Sequence, residues 1–233
     1  MAKDNKPAEQ GSTRRKALML GLGALAIAGS AVAYFTINGE APVSSPAIAA
    51  SDDALDLKVD PSKDNILGEA NAPVTVVEYS SLTCPHCANF HQMTVPDMKE
   101  KYVNTGKIRY VIREFPLDRL AFAAAAIARC AGDDKYFPFV TALYKNQQKW
   151  VQGEGNPAER LFDMAKQVGF TKETFNACLE NKDVIDHIQQ SRKIGSEEYG
   201  VSSTPTIFVN GKKLEGGNSL SDLEKAMEPF LKS

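Results

Sequence analysis

Hydrophobic and polar positions predict two β-strands joined by a helix. Val74 to Tyr79 is rich in β-branched residues and predicts a buried strand, in which Glu78 is the one charged residue. Ile108 to Phe115 alternates well enough to predict a second strand. Between the two strands, apolar positions at helical spacing run from residue 84 to about Tyr102, and Pro96 is expected to kink that helix. The three elements form a βαβ pattern.

The next stretch, residues 117–183, contains no good strand pattern and is predicted to be helical. Apolar periodicity, a first-turn proline or a capping threonine marks four helix starts, at Leu120, Phe137, Pro157 and Thr171. Asp183 is expected to cap a further helix that reaches about Tyr199.

The chain then returns to strands. Residues 204–217 predict a β-hairpin with its turn at Asn210-Gly211, and Leu220 to Leu231 is an amphipathic helix that Pro229 is expected to break near its end. The order of elements predicts an α/β domain, a small mixed sheet covered by helices, built from residues 60–116 and 184–233. Residues 117–183 are predicted to be a helical subdomain inserted into it.

The first 36 residues differ from the rest. Met1 to Lys16 is polar, with five basic and two acidic residues, and Ala17 to Ile37 then runs 21 residues without a charge. This pattern predicts an export signal or a membrane anchor. Residues 37–59, rich in Ala, Ser and Pro, are expected to form a linker.

Three interpretations of the N-terminal segment remain open: a cleaved signal peptide, an uncleaved anchor and a buried core helix. Small residues fit signal cleavage at Ala31–Ala33 or at Ala47–Ala49, and Arg14-Arg15 loosely matches a twin-arginine signal. In both export interpretations, residues after about 50 lie in the periplasm or at the outer face of the cytoplasmic membrane.

Composition adds two limits. The formal net charge is −2 and no basic patch stands out, so nucleic acid is not an expected partner. Four cysteines follow the export segment, and an even count in an oxidising compartment favours pairing. Three connectivities are possible. If Cys84 and Cys87 bridge each other, Cys130 is left with Cys178.

The Cys84-Pro85-His86-Cys87 tetrapeptide stands at a strand-to-helix junction. Unpaired N–H groups and the positive end of the helix dipole stabilise a thiolate at this place. Cys84 is therefore expected to be exposed and ionised, and Cys87, one turn further on, to be the shielded resolving thiol. His86 adds a donor beside the thiolate, and Pro85 restrains the turn. A stabilised thiolate makes the disulfide more oxidising.

Three other uses of a cysteine pair compete with redox chemistry. A c-type haem anchor needs a histidine after Cys87, where the chain has Ala88. A zinc site would combine Cys84 and Cys87 with His91, but the other two cysteines are isolated and supply no second ligand pair, so no metal is expected. A merely structural disulfide in a tight loop stays open.

Together with "EFPL" at Glu114–Leu117 and "GVSSTPTIFVNG" at Gly200–Gly211, the Cys-Pro-His-Cys motif resembles the DsbA-type thiol:disulfide oxidoreductases over most of residues 60–233. The resemblance implies a thioredoxin-like fold with an inserted helical domain. It also implies that Cys84 and Cys87 form a redox-active disulfide, that Pro205 is a cis-proline facing it, and that the backbone of Thr204 pairs with a bound peptide.

Three further sets of residues carry expectations. Glu78 is interpreted as a buried carboxyl of raised pKa that tunes Cys87 and relays its proton, and the alternative is a strand-end acid facing solvent. Cys130 and Cys178 are expected to form a structural disulfide rather than two free thiols. His91 and His187 are expected to be surface or packing residues.

The function that the resemblance implies is an exported dithiol oxidase. Reduced or unfolded exported proteins are the expected substrates, a DsbB-like quinone-linked membrane oxidase the expected partner, and no external cofactor is needed. We expect a monomer. The alternatives are a reductase or isomerase on the same fold and a non-enzymatic peptide-binding module.

Overall fold

The computed structural model describes residues 54–231. The expected export segment, the twin-arginine pair, both cleavage sites and most of the expected linker lie outside these residues. Within residues 54–231, no helix is both long enough and apolar enough to cross a membrane.

A mixed five-stranded sheet forms the centre of the described chain, with strand order β1-β3-β2-β4-β5. Strands β2 and β3 are parallel, and the other neighbouring pairs are antiparallel. The strands are β1 (Asn65–Leu67), β2 (Val74–Ser80), β3 (Ile108–Glu114), β4 (Thr206–Val209) and β5 (Lys212–Lys213). The predicted α/β thioredoxin-like fold is confirmed. The short edge strand β1 was not predicted, because three half-buried residues carry too little pattern.

The central strand β2 separates two cores. Val77 and Tyr79 point into the smaller core, whereas Val74 and Val76 point into the larger core shared with the helices. Because side chains alternate along a strand, Glu78 lies on the same face as Val76. It pairs in register with Ile112 of β3 and Ile207 of β4 and is fully buried. A carboxyl group is thus built into the middle of the sheet.

Helices cover both faces of the sheet. The first helical stretch contains α1 (Pro85–Met93), α2 (Val95–Met98) and one turn of π-helix (Lys99–Val103). Its break at Thr94 agrees with the expected kink, since Pro96 lacks the N–H that a continuous helix needs. The other helices are α3 (Arg119–Cys130), α4 (Asp133–Lys145), α5 (Gln147–Gln152), α6 (Pro157–Lys166), α7 (Lys172–Leu179), α8 (Lys182–Glu197) and α9 (Leu220–Leu231).

Two predicted helix ends were wrong. The α8 cap is Asn181, whose side chain accepts from the N–H of Val184, and Asp183 lies inside the first turn, where a carboxylate suits the helix dipole. Helix α9 continues through Pro229 to Leu231. A proline this close to the helix end removes one hydrogen bond and leaves the preceding turns intact.

The end of the expected linker is packed onto the sheet. Leu57 is 6% exposed, and its carbonyl accepts from Arg113. The N–H of Leu55 donates to the carbonyl of Gly211 at 2.9 Å. A Cβ atom at Gly211 would lie 2.1 Å from the Leu55 oxygen, and its φ is +80°. Only glycine therefore fits this turn against the N-terminal segment.

Candidate active site

The cysteine pair lies where β2 gives way to α1. Cys84 is the extended N-cap residue of α1, and Pro85 occupies the first turn. The amide of Cys84 donates to the carbonyl of Ser81 at 3.0 Å, which closes the loop between strand and helix. Cys84 is 6% exposed and Cys87 is fully buried, and both are free thiols. The expectation that Cys84 is exposed was wrong, because the loop before Pro205 packs against it and places the Thr204 carbonyl 3.3 Å from its sulfur.

That covering loop is the one with the predicted cis-proline. The peptide bond between Thr204 and Pro205 is cis. Cys84 Sγ lies 3.3 Å from the carbonyl oxygen of Thr204, to which the protonated thiol donates. The side-chain oxygen of Thr204 is also buried, and its hydroxyl lies close enough to stabilise a thiolate on Cys84. The fold thus brings Cys84, Thr204 and Pro205 together from positions 120 residues apart.

The helical segment, residues 119–179 with helices α3 to α7, supports the same loop from the other side. Gln147 at the start of α5 donates to the carbonyls of Leu82 and Cys84, at 2.8 and 2.9 Å. Thr83 donates to Asp118 at 2.5 Å, and Asp118 caps α3 by accepting from the N–H of Ala121. The reactive turn is therefore fixed by side chains of α5 and of the α3 cap.

Two thiols that are neighbours in sequence differ widely in acidity. A hydrogen bond from Cys87 is the largest effect on Cys84; together with those from Thr204 and from the amides of Cys87 and His86, it lowers the pKa of Cys84 to about 5, against the cost of burial. Burial raises the pKa of Cys87, and the Cys84 hydrogen bond and the charge of Glu78 raise it further. At neutral pH the pair therefore holds one thiolate, on Cys84, and one thiol, on Cys87.

His86 acts through its backbone. Its amide is among the donors that stabilise the Cys84 thiolate. Its side chain is exposed and, within the described residues, makes no hydrogen bond or ion pair. The expected side-chain donor beside the sulfur is therefore absent from this geometry, because the ring points to solvent at the first turn of α1.

Glu78 lies in a closed group of polar side chains beneath the cysteines. Its carboxylate accepts from Ser80 at 2.6 Å and from Tyr110, and lies 2.9 Å from His91 Nε2. Burial alone would raise its pKa, but the charge of His91 and the hydrogen bonds from His91, Ser80 and Tyr110 outweigh burial and lower it. The expected raised pKa was wrong, because the sequence does not show these donors.

Four members of this group were missed by sequence reasoning. His91 is 5% exposed and stacks on Tyr144 with ring centroids 4.1 Å apart, and the Tyr144 hydroxyl lies 2.6 Å from Ser80 Oγ. Because His91 follows Cys87 by four residues, both lie on one face of α1, and this spacing was the available signal. His91 Nε2 is directed at Glu78, and among residues 54–231 no three His, Cys, Asp or Glu side chains are grouped to hold a metal.

The other cysteines are bonded to each other. Cys130 at the end of α3 and Cys178 in α7 are joined by a disulfide, with Cα atoms 6.2 Å apart. The bond ties two helices of the helical segment together and leaves Cys84 and Cys87 as the free pair.

Comparison with known proteins agrees with this geometry. The thioredoxin family model, described as "Thioredoxin", matches residues 61–229. The chain belongs to the thioredoxin family.

Within that family, its relatives are of the DsbA type. A Rickettsia prowazekii protein provisionally named a protein-disulfide oxidoreductase is 35% identical over 175 residues, 75% of this chain and 63% of the relative. The chain thus spans somewhat less than two thirds of that protein. The crystal structure of Wolbachia pipientis alpha-DsbA1 is 28% identical, covers 76% of this chain and 94% of its own, and superposes with a TM-score of 0.69. BdbD from Bacillus subtilis, 21% identical with a TM-score of 0.67, shares the fold over 78% of this chain and 100% of its own. The resemblance to DsbA-type proteins is confirmed.

Proposed function

We propose that this thioredoxin-family protein is a thiol:disulfide oxidoreductase that works as a dithiol oxidase. One observation carries the proposal: the pKa of Cys84 is lowered to about 5, while that of Cys87 is raised. An ionised Cys84 stabilises the reduced form, so the Cys84–Cys87 disulfide is correspondingly easy to give away. The names of the Rickettsia and Wolbachia proteins support the same class of reaction.

The reaction proceeds by two thiol–disulfide exchanges. A substrate thiolate attacks Cys84 Sγ of the oxidised enzyme, a substrate–Cys84 disulfide forms, and Cys87 leaves as a thiolate that takes up a proton. A second substrate thiolate then attacks the substrate sulfur of that mixed disulfide, and Cys84 leaves as a thiolate. The substrate has lost two electrons and holds a disulfide, and the enzyme has gained them. The low pKa of Cys84 makes it a good leaving group in the second step.

The loop at Thr204 and Pro205 is the proposed substrate-binding edge. The Thr204 carbonyl lies 3.3 Å from Cys84 Sγ, so a polypeptide that pairs with this backbone is held beside the sulfur. Backbone pairing suits reduced, unfolded proteins of any sequence. We further propose export by the N-terminal segment, a periplasmic or membrane-surface location, and a monomer that a DsbB-like membrane oxidase reoxidises.

A reduction-potential measurement tests the oxidase assignment. The full-length protein is equilibrated with glutathione buffers, and its potential is compared with those of thioredoxin and of DsbA, at about −270 and −120 mV. The oxidase proposal requires a value well above that of thioredoxin, together with disulfide formation in a reduced, unfolded test protein. A value near that of thioredoxin assigns the chain to the reductases instead. If the Cys84→Ser variant keeps the biological activity of the protein, that activity does not need the thiol, and the chain is a binding module.

A further inference from the structure

Opening the disulfide requires a proton inside the protein. When a thiol attacks Cys84, Cys87 departs as a thiolate at a site that is fully buried. Burial and the neighbouring Glu78 carboxylate both disfavour that charge and raise the pKa of Cys87. Water does not reach the Cys87 side chain in the closed fold, so the proton has to come from a group that already touches it.

A continuous set of polar contacts leads inward from Cys87. The Ser80 hydroxyl donates to Glu78 Oε1 at 2.6 Å and is close enough to Cys87 to stabilise a charge on that sulfur. The other carboxylate oxygen, Oε2, lies 2.9 Å from His91 Nε2. The side chains of His91 and Glu78 are 3% and 0% exposed, so this is a closed, buried pair. Cys87, Ser80, Glu78 and His91 thus form one chain of contacts.

The remaining titratable neighbours of His91 are two tyrosines. Tyr110 on β3 donates to Glu78 and lies 3.3 Å from His91 Nε2, and Tyr144 on α4 stacks on the imidazole. Burial raises the pKa of both phenols well above 10, so they keep their protons. The group left to exchange a proton with Glu78 is therefore His91, whose Nε2 lies 2.9 Å from the carboxylate.

We propose that His91 is a positioning residue of the exchange reaction, which together with Glu78 holds the proton that Cys87 receives when the disulfide opens. This inference rests on the oxidoreductase activity proposed above. His91 does not contact the substrate; it acts through Glu78 and Ser80. No short sequence motif contains His91, because its role arises from the contact with Glu78 across the α1–β2 interface.

Opening the disulfide moves one proton from the His91–Glu78 pair to Cys87. Before attack, the His91–Glu78 pair holds one shared proton and Cys87 is bonded to Cys84. As the S–S bond breaks, Ser80 donates its proton to the departing Cys87 sulfur and takes the pair's proton through Glu78. The pair is left as a carboxylate and a neutral imidazole beside a neutral thiol. Reoxidation reverses the transfer, since Cys87 must lose its proton to close the bond.

The test is the pH profile of disulfide opening in the full-length oxidised protein, with glutathione as the attacking thiol. Rate constants are divided by the thiolate fraction of glutathione, which removes the pH dependence of the nucleophile. We expect the corrected rate of the wild type to fall as pH rises through one midpoint. Nuclear magnetic resonance of labelled imidazole rings should show His91 titrating at that same midpoint.

Substitution gives the second readout. His91→Gln should lower the corrected rate about 100-fold at pH 6, in the range for a positioned proton donor, and flatten the profile. His187→Gln, on the half-buried histidine of α8, is the matched control and should leave the profile unchanged. If His91→Gln fails to fold, the agreement of the wild-type kinetic and spectroscopic midpoints decides the question.

The outcomes are separable. A wild-type disulfide that opens with a flat corrected profile, or a His91→Gln variant within threefold of wild type at pH 6, overturns the role of His91 and leaves the oxidoreductase proposal standing. A wild-type disulfide that glutathione does not open at all overturns both.

Discussion

The side-chain amide of Gln147 donates to the carbonyl oxygen of Cys84 at 2.9 Å. The same nitrogen donates to Leu82 at 2.8 Å, so one buried carboxamide satisfies two carbonyls of the reactive loop. Gln147 stands at the start of α5 in the helical segment, and Cys84 at the start of α1 on the sheet. A side chain of the helical segment therefore holds the backbone of the reactive loop in place.

Replacing Gln147 by leucine should destabilise the protein by about 2–3 kcal/mol, because two buried carbonyls lose their partner. Urea unfolding of the reduced full-length protein measures this change. Gln148→Leu, at the exposed neighbouring position, is the matched control and should stay within about 0.5 kcal/mol of wild type. Equal unfolding midpoints for the two variants would contradict the role given to Gln147.

Removing the Cys130–Cys178 disulfide with alanine at both positions should cost about 4 kcal/mol, since the bond closes a loop of 48 residues in the unfolded chain. The unfolding free energy of the double variant, compared with the wild type in the absence of reductant, gives the value. Strong reductant should bring the wild type down to the level of the variant measured in the same reductant. A loss below about 1 kcal/mol would show that the bond constrains little.

The Arg129–Glu114 ion pair offers a test of burial. Arg129 Nε and Glu114 Oε1 are 2.7 Å apart, with side chains 15% and 5% exposed. Arg129→Met leaves a buried carboxylate without its cation and should cost about 3–5 kcal/mol. The exposed pair Lys166–Asp163 is the control, and Lys166→Met should cost less than about 1 kcal/mol. Similar losses of unfolding free energy at the two sites would contradict the prediction that burial makes the loss of Arg129 costly.

The stability of the reduced protein should depend on pH in a defined direction. The pKa of Cys84 is about 5 in the folded state, below the value of about 8.5 for an unfolded thiol. Ionised Cys84 therefore stabilises the fold fully above about pH 8.5, and this contribution is lost as pH falls through 5. In the oxidised protein, Cys84 is bonded to Cys87 and makes no such pH-dependent contribution to stability.

The observable is the difference in unfolding midpoint between the reduced and oxidised proteins. This difference should move against the reduced form as pH falls from 8 to 5. Cys84→Ser cannot form the disulfide, and its stability should lack the part of the pH dependence that ionised Cys84 gives to the reduced wild type. Measurements stop at pH 8, because the raised pKa of Cys87 destabilises the reduced fold above the unfolded thiol value. A difference independent of pH would mean that Cys84 titrates normally.

The sequence predicted the frame of the molecule because its strongest local signals are also its central elements. The β-branched run at β2, the alternating run at β3 and the Asn210-Gly211 turn each favour one backbone conformation. The edge strand β1 gave no such signal, since only pairing with β3 extends it.

Sequence reasoning likewise found one part of the candidate site and missed another. Cys84, Cys87, Thr204 and Pro205 were found because short motifs contain them. The surroundings of Glu78 were not, because Tyr110 and Tyr144 reach it from other elements, and only the packed fold shows that their hydroxyls lie beside Glu78 and Ser80. The charge and hydrogen bond of His91, with the hydrogen bonds from Ser80 and Tyr110, lower the pKa of Glu78, which burial alone would raise.

The acidity of Cys84 is the quantity on which the proposed oxidase rests, and the pH dependence of its alkylation measures it directly. In the reduced full-length protein, Cys130 and Cys178 are bonded to each other. Cys87 is fully buried and its raised pKa keeps it a thiol, so the Cys84 thiolate is the group that iodoacetamide modifies. We predict a half-maximal rate near pH 5, in line with the lowered pKa. A half-maximal rate near about pH 8.5, the value of an ordinary thiol, would contradict the account.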